Sequence, residues 1–239
     1  MTYDLLPAPD ELERFTRTVI PDLDEDEALL LFLNARGKYL SETERRALSM
    51  PSTLVLRREV ITRKDQIASV IAGLCARTGH YTDRAGHPIP EHALAVYLTP
   101  NPRSQRKAAL ATLKDLADSL YAGKPVRVVR TAVSNLHTSA SRKTYLDLDI
   151  DLGDGDDLPD LLAQIRRALG STTAPVVHTR GGAHVLVRTK TLDPSVKKTF
   201  YREVQAISRA MVGEIEIRSD TMVPVPGTRQ GGTAVRLAE

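Results

Sequence analysis

The chain has a single cysteine, Cys75, so no internal disulfide can form, which suits a reducing compartment. No apolar run approaches the roughly 20 residues of a membrane span, so no membrane partner is expected. The N-terminus has no basic stretch followed by an apolar one, so no signal peptide is expected and the cytoplasm is the expected location. Aromatic residues make up only 4 %, which leaves few rings for stacking bases. The net charge of +3 is too small to identify a nucleic-acid partner by itself. The 239 residues suit one large domain or two small lobes, with length enough for a buried core.

Against these absences stands one stretch, 144–151, reading Thr-Tyr-Leu-Asp-Leu-Asp-Ile-Asp. Leu146, Leu148 and Ile150 alternate with Asp147, Asp149 and Asp151. Period two means a strand, with the three carboxylates on one face. Aspartate is a poor strand former, and adjacent like charges repel unless something cancels them. A hard divalent cation held by carboxylate oxygens is the usual canceller. A solvated sheet edge protected by acids gives the same pattern.

Charge is unevenly spread. Arg103, Arg106, Lys107, Lys114, Lys124, Arg127, Arg130, Arg142 and Lys143 are opposed only by Asp115 and Asp118, and an acidic cluster follows from Asp147 to Asp160. Basic surface beside carboxylates suits a metal-dependent enzyme acting on polyphosphates.

The first part of the chain, 1–135, reads as a mixed α/β lobe. Helices are predicted over 10–19 and 25–39, and Ser41 with Glu44 forms a capping box that opens a third. A strand is predicted over 53–61, then a helix capped by Thr62 with the stripe Ile67, Val70, Ile71, Leu74 and Cys75. Cys75, His80, His87 and His92 match no common zinc-finger spacing and read as a core cysteine and scattered surface histidines. A strand over 93–99 leads to Asn101-Pro-Arg103. Ser104 caps a helix carrying Leu110, Leu113, Leu116 and Leu120, and a strand over 125–132 follows. The second part, 136–239, reads β-α-β-β-α-β: strands at 144–151, 176–179, 183–189 and 214–218, with helices opened by Pro159 and Pro194. This is the split order of ferredoxin-like and RNA-recognition-motif folds. The expected class is α+β, an N-terminal α/β lobe packed on an RNA-recognition-motif-like lobe.

In that topology the first and third strands lie side by side and the fourth borders the first, so Asp147, Asp149, His184 and Asp220 converge on one face. An Asp-x-Asp strand, a histidine opening the return strand of the hairpin and an aspartate after the last strand together resemble the archaeo-eukaryotic primase superfamily. The three motifs are Tyr145-Leu-Asp-Leu-Asp149, Gly182-Ala-His184, and Ser219-Asp220 followed by Val225-Pro-Gly-Thr. The family often has serine at the Gly182 position and an apolar residue before the aspartate.

The resemblance implies a primase or primase-polymerase core that copies single-stranded DNA from nucleoside triphosphates by two-metal nucleotidyl transfer. Asp147, Asp149 and Asp220 would hold two Mg²⁺ or Mn²⁺ ions, with Asp151 or Glu216 as substitutes. His184 would bind triphosphate oxygens. Arg180 and Gly182 in the hairpin, Arg229, Arg236 and Arg103 would contact nucleotide or template. A replicative helicase would act in trans or from another domain, and the location would be the host cytoplasm for a virus- or plasmid-encoded chain. Two other readings stay open: a non-catalytic nucleic-acid-binding module of the same topology, and a metal-dependent phosphohydrolase in which water is the nucleophile.

Overall fold

The run Glu27–Arg36 forms strand β1, although its sequence predicts a helix over 25–39. Leucine, alanine and glutamate favour helices, and the run lacks two-residue alternation because nearly all of it is buried. Its two faces serve two different packings. Leu29, Leu31 and Leu33 meet Leu12 and Phe15 of helix α1 (Pro9–Thr18) and Ile67, Ile71 and Leu74 of α3 (Gln66–Leu74). Leu30 and Phe32 meet Ala108 of α4 (Gln105–Tyr121) and Leu136 of α5 (Val128–Thr138).

The computed structural model describes residues 1–170 and 172–238 and is an α+β structure. Among those residues it has two antiparallel sheets and seven α-helices. In the first sheet β1 lies between β2 (Thr53–Ile61) and β3 (Leu94–Leu98). Short β4 (Arg103–Ser104) pairs with β1. The capping box at Ser41 opens α2 (Glu42–Ala47), with Glu44 accepting from the Ser41 backbone at 2.8 Å. α3 starts at Gln66 rather than at Thr62, and the Gln66 side chain accepts from the Thr62 backbone. The segment 125–132, predicted as a strand from its valines, belongs mostly to α5. Packing of Leu136 and His137 against Phe32 overrides the β-branched preference.

The second sheet contains β5 (Tyr145–Asp151), β6 (Val176–His178), β7 (Gly182–Arg188), β8 (Glu214–Arg218) and β12 (Arg236–Ala238), in the order β12-β6-β7-β5-β8. Pro159 and Gly170 bracket α6 (Leu158–Leu169), and Asp193 caps α7 (Pro194–Ala210) by accepting from the Ser195 N–H at 2.7 Å. Leu148, Ile150, Val185 and Ile215 bury one sheet face against these two helices.

Between β8 and β12 the chain crosses to the first sheet. Strands β9 (Val223–Pro224) and β10 (Arg229–Gln230) pair with β3, and β11 (Thr233–Ala234) pairs with β10. Val223, Val225 and Val235 insert into the same core as Leu12 and Phe15, which draws this segment back to the first sheet. Tyr145, Val177 and Leu186 of the second sheet join that core as well. Asn101 pins the two parts polarly. Its amide donates to the carbonyls of Tyr145 (2.8 Å) and Ser219 (2.7 Å) and accepts from the Tyr145 N–H (2.8 Å).

Candidate functional site

β5 turns Leu148 and Ile150 towards α6 and α7, so Asp147, Asp149 and Asp151 project from the opposite face. Register then builds the neighbourhood. β7 sets Leu186, His184 and Gly182 beside these three aspartates, and β8 sets Arg218, Glu216 and Glu214 on their other side. His184 therefore stands directly across from Asp149, one pair further along than Asp147. Exposure rises along the row: Asp147 is buried, Asp149 half-buried and Asp151 exposed.

The three carboxylates have different partners. Both Asp147 oxygens lie within 3.2 Å of His184 Nδ1, and Oδ2 also accepts from the Thr221 hydroxyl at 2.8 Å. Asp149 Oδ1 lies 3.5 Å from His184 Nε2, and Arg218 reaches its other oxygen at 4.0 Å. Burial would lower the basicity of His184. The hydrogen bond that the imidazole donates to Asp147 and the charges of Asp147, Asp149 and Asp151 outweigh it and hold the imidazole above its ordinary value. Burial pushes the Asp149 carboxyl up. Asp147 and Asp151 add to that rise, while His184 and Arg218 oppose it.

Asp149, Asp151 and His184 face a cleft of about 550 Å³ between the two sheets, with Asp147 buried behind them. One wall holds Asp149, Asp151, His184, Arg180 and Arg218. The other holds Arg36, Lys38, Tyr39, Tyr97 and His137, with Asp220, Thr221 and Met222 contributing from the segment after β8. The volume lies within the range of small-molecule sites. Arg180 stacks over the Tyr39 ring at 5.4 Å and donates to the Gly231 carbonyl at 3.1 Å, which directs the β6–β7 turn to the cleft. Gly182 is required by close approach: a Cβ there would sit 1.8 Å from the Ile150 carbonyl oxygen. A serine hydroxyl at this position has no room without a shift of β5.

The other expected site residues differ in their placement. Arg103 is fully buried, donates through Nη1 to Asp220 Oδ1 at 2.9 Å and does not line the cleft. Burial lowers its basicity against the support of Asp220, and its Nε and Nη2 have no hydrogen-bond partner among the described residues. Asp220 lines the cleft with its side chain half exposed, but its bond goes to Arg103, and Thr221 makes the contact with Asp147. Glu216 pairs with Arg218. Arg229 pairs with Asp4 at 3.3 Å and does not line the cleft, nor does Arg236 on β12. The histidines of the 80–92 loop have separate partners: Arg57 for His80, Asp83 for His87 and Glu44 for His92.

Sequence reasoning missed Arg36, Tyr39, Tyr97, His137 and Thr221. The first four sit in elements that the sequence reading assigned to other structure or to no role. Only the Ser219-Asp220-Thr221 neighbourhood carried a signal, the proximity of Thr221 to a motif aspartate.

The midpoints of the two cleft histidines are expected to be displaced in opposite directions. Burial and the nearby guanidinium groups of Arg103 and Arg58 hold His137 below its ordinary value, whereas His184 is held above it. Near pH 6.5 His184 is thus mostly cationic and His137 mostly neutral. His184 contributes stability that is complete below about pH 6.5 and lost as pH rises through its elevated value. His137 contributes the opposite: stability present above about pH 6.5 and lost as pH falls through its depressed value. Imidazole ¹⁵N shifts followed with pH in chelator-treated buffer check this. Two coincident midpoints would contradict the arrangement.

Among the described residues no group of three or more His, Cys, Asp or Glu side chains forms a ready-made ion cage. No helix is long and apolar enough to cross a membrane among those residues. Comparison with known proteins leaves this geometry to speak for itself: no family model, no curated protein and no solved structure matches the chain.

Proposed function

We propose that the cleft is the active site of a primase-polymerase type nucleotidyltransferase, which extends a strand on a single-stranded DNA template from nucleoside triphosphates. One observation carries this reading. Asp149, Asp151, His184 and Asp220, far apart in sequence, meet at one cleft whose walls also present Arg36, Lys38 and Arg180. Carboxylates facing cations across a cleft suit a triphosphate held with divalent ions. The succession β5-α6-β6-β7-α7-β8, read as an RNA-recognition-motif-like unit, agrees with it.

The donor set fits Mg²⁺ or Mn²⁺. Mg²⁺ is commonly held by one or two carboxylates together with substrate phosphates, so an open row of aspartates suits it better than a closed cage. Asp149, Asp151 and Asp220 are the carboxylates that reach the cleft. Bound ions would neutralise triphosphate charge and activate the attacking hydroxyl. Asp147, buried and bonded to His184, takes the role of orienting the imidazole. His184 and the fork of Arg180 hold phosphate oxygens. Arg103 fixes Asp220 from behind.

The test is extension of a primed single-stranded template with labelled nucleotides. Polymer should form only with Mg²⁺ or Mn²⁺ and should follow template sequence. Release of phosphate or pyrophosphate without polymer would move the site to a phosphohydrolase. Template binding with no nucleotide chemistry under any divalent ion would promote the binding-module reading.

A further inference from the structure

Helix α4 buries Ala108 and Thr112 towards the first sheet and leaves the opposite face bare. Leu110, Leu113 and Leu120 are 61 %, 66 % and 68 % exposed, and Ala117 between them is exposed too. Their spacing of three, four and three residues is the a/d spacing of a heptad, so the four side chains form one line along the helix. Most of the exposed large apolar residues among the described ones lie between 110 and 129, and Tyr121, Val128 and Val129 continue the patch around the α4–α5 tip. Single exposed leucines are ordinary on a protein surface, whereas an aligned seam marks a contact.

The charge beside the seam selects the occupant. Lys107 and Lys114, one heptad apart, occupy its e flank, with Lys107 Nζ donating to the Ala140 carbonyl at 3.1 Å while keeping its charge, and Arg106, Lys124 and Arg127 lie at its two ends. Of the two acids on α4, Asp115 is taken up by the Asn135 amide at 2.9 Å, and Asp118, one turn past Lys114, still leaves the cations in excess along the seam. An antiparallel pairing with a second copy of this chain would set these lysines against each other. A bilayer is met by a broad apolar face, typically with Trp or Phe, and this line is narrow and has neither. We propose that the α4 seam docks an α-helix of another protein, with apolar side chains at a/d spacing and glutamate or aspartate along the edge that faces Lys107 and Lys114. This inference stands independently of the chemistry assigned to the cleft.

The test titrates the full chain against two labelled three-heptad peptides, both with leucine at a and d. One carries glutamate and the other lysine at e and g. The glutamate peptide should bind in the micromolar range, at least about tenfold tighter than the lysine peptide. A variant carrying Leu113→Glu and Leu120→Glu should lose at least about tenfold in affinity. Its thermal midpoint should match the parent's, because both leucines are exposed. Equal binding of the two peptides, no binding of either, or binding indifferent to the substitutions overturns the proposal. So does sedimentation of the parent as a dimer that the variant disperses, which assigns the seam to a second copy. Flotation with phosphatidylcholine–phosphatidylglycerol vesicles that the variant loses would assign it to a membrane instead.

Discussion

Asp220→Ala is expected to lower folding stability by about 3 kcal/mol, although the side chain is half exposed and lies at the cleft. The cost arises from what stays behind. Arg103 has no exposed surface, and among the described residues Asp220 is its only acidic partner and Nε and Nη2 have no hydrogen-bond partner. Removing the carboxylate strands a guanidinium in the protein interior, and a buried charge left unpaired is among the most destabilising changes a single substitution can make. Replacing Arg103 with methionine in the same chain removes the stranded charge and keeps most of the side-chain volume. The double variant should therefore recover much of the loss. Urea denaturation of the two single variants and the double variant measures this cycle. An Asp220→Ala protein as stable as the parent would show that the pair does not hold Arg103, and the positioning of Asp220 from behind would go with it.

Replacing Asp149 and Asp151 together with alanine should have the reverse signature. Polymer synthesis should fall by about 10³-fold or more, since the carboxylates that gather charge at the cleft are lost. Stability should hold or rise slightly. Burial and the neighbouring carboxylates already disfavour the charge on Asp149, so its removal relieves repulsion. Asp147→Ala is a useful contrast. It deprives His184 and Thr221 of their shared acceptor in a buried place, so stability should drop by about 1–3 kcal/mol along with activity. Thermal melting beside the extension assay separates the two cases. Retention of full activity by the Asp149, Asp151 variant would refute the proposed site. A second readout does not depend on turnover: Mn²⁺ should broaden the His184 imidazole resonances of the parent and spare those of the variant.

Much of the second sheet was legible in the residues. Alternation over 145–151, the Pro159 and Gly170 brackets of α6, the Arg180-Gly-Gly turn and the Asp193-Pro194 start of α7 are local signals, each with a local cause, and the structure has the corresponding elements. The capping box at Ser41 is of the same kind. The misreadings fall where local preference and burial disagree. β1 resembles a helix because both of its faces are covered, which erases the alternation that would betray a strand. α5 resembles a strand because its valines were read without the sheet that Leu136 and His137 pack on.

The sequence by itself determined that Asp147, Asp149 and Asp151 share a face, because side-chain direction along a strand depends on nothing beyond the strand. Tertiary structure decided which of them meet the cleft. Pairing with β7 places His184 opposite Asp149, and its ring reaches back to Asp147, so the innermost carboxylate is committed to an imidazole while the outer two remain at the opening. Arg103 shows the same division. Its charge is evident from the residue type, but its burial against Asp220 is not, because burial depends on contacts between residues more than a hundred positions apart.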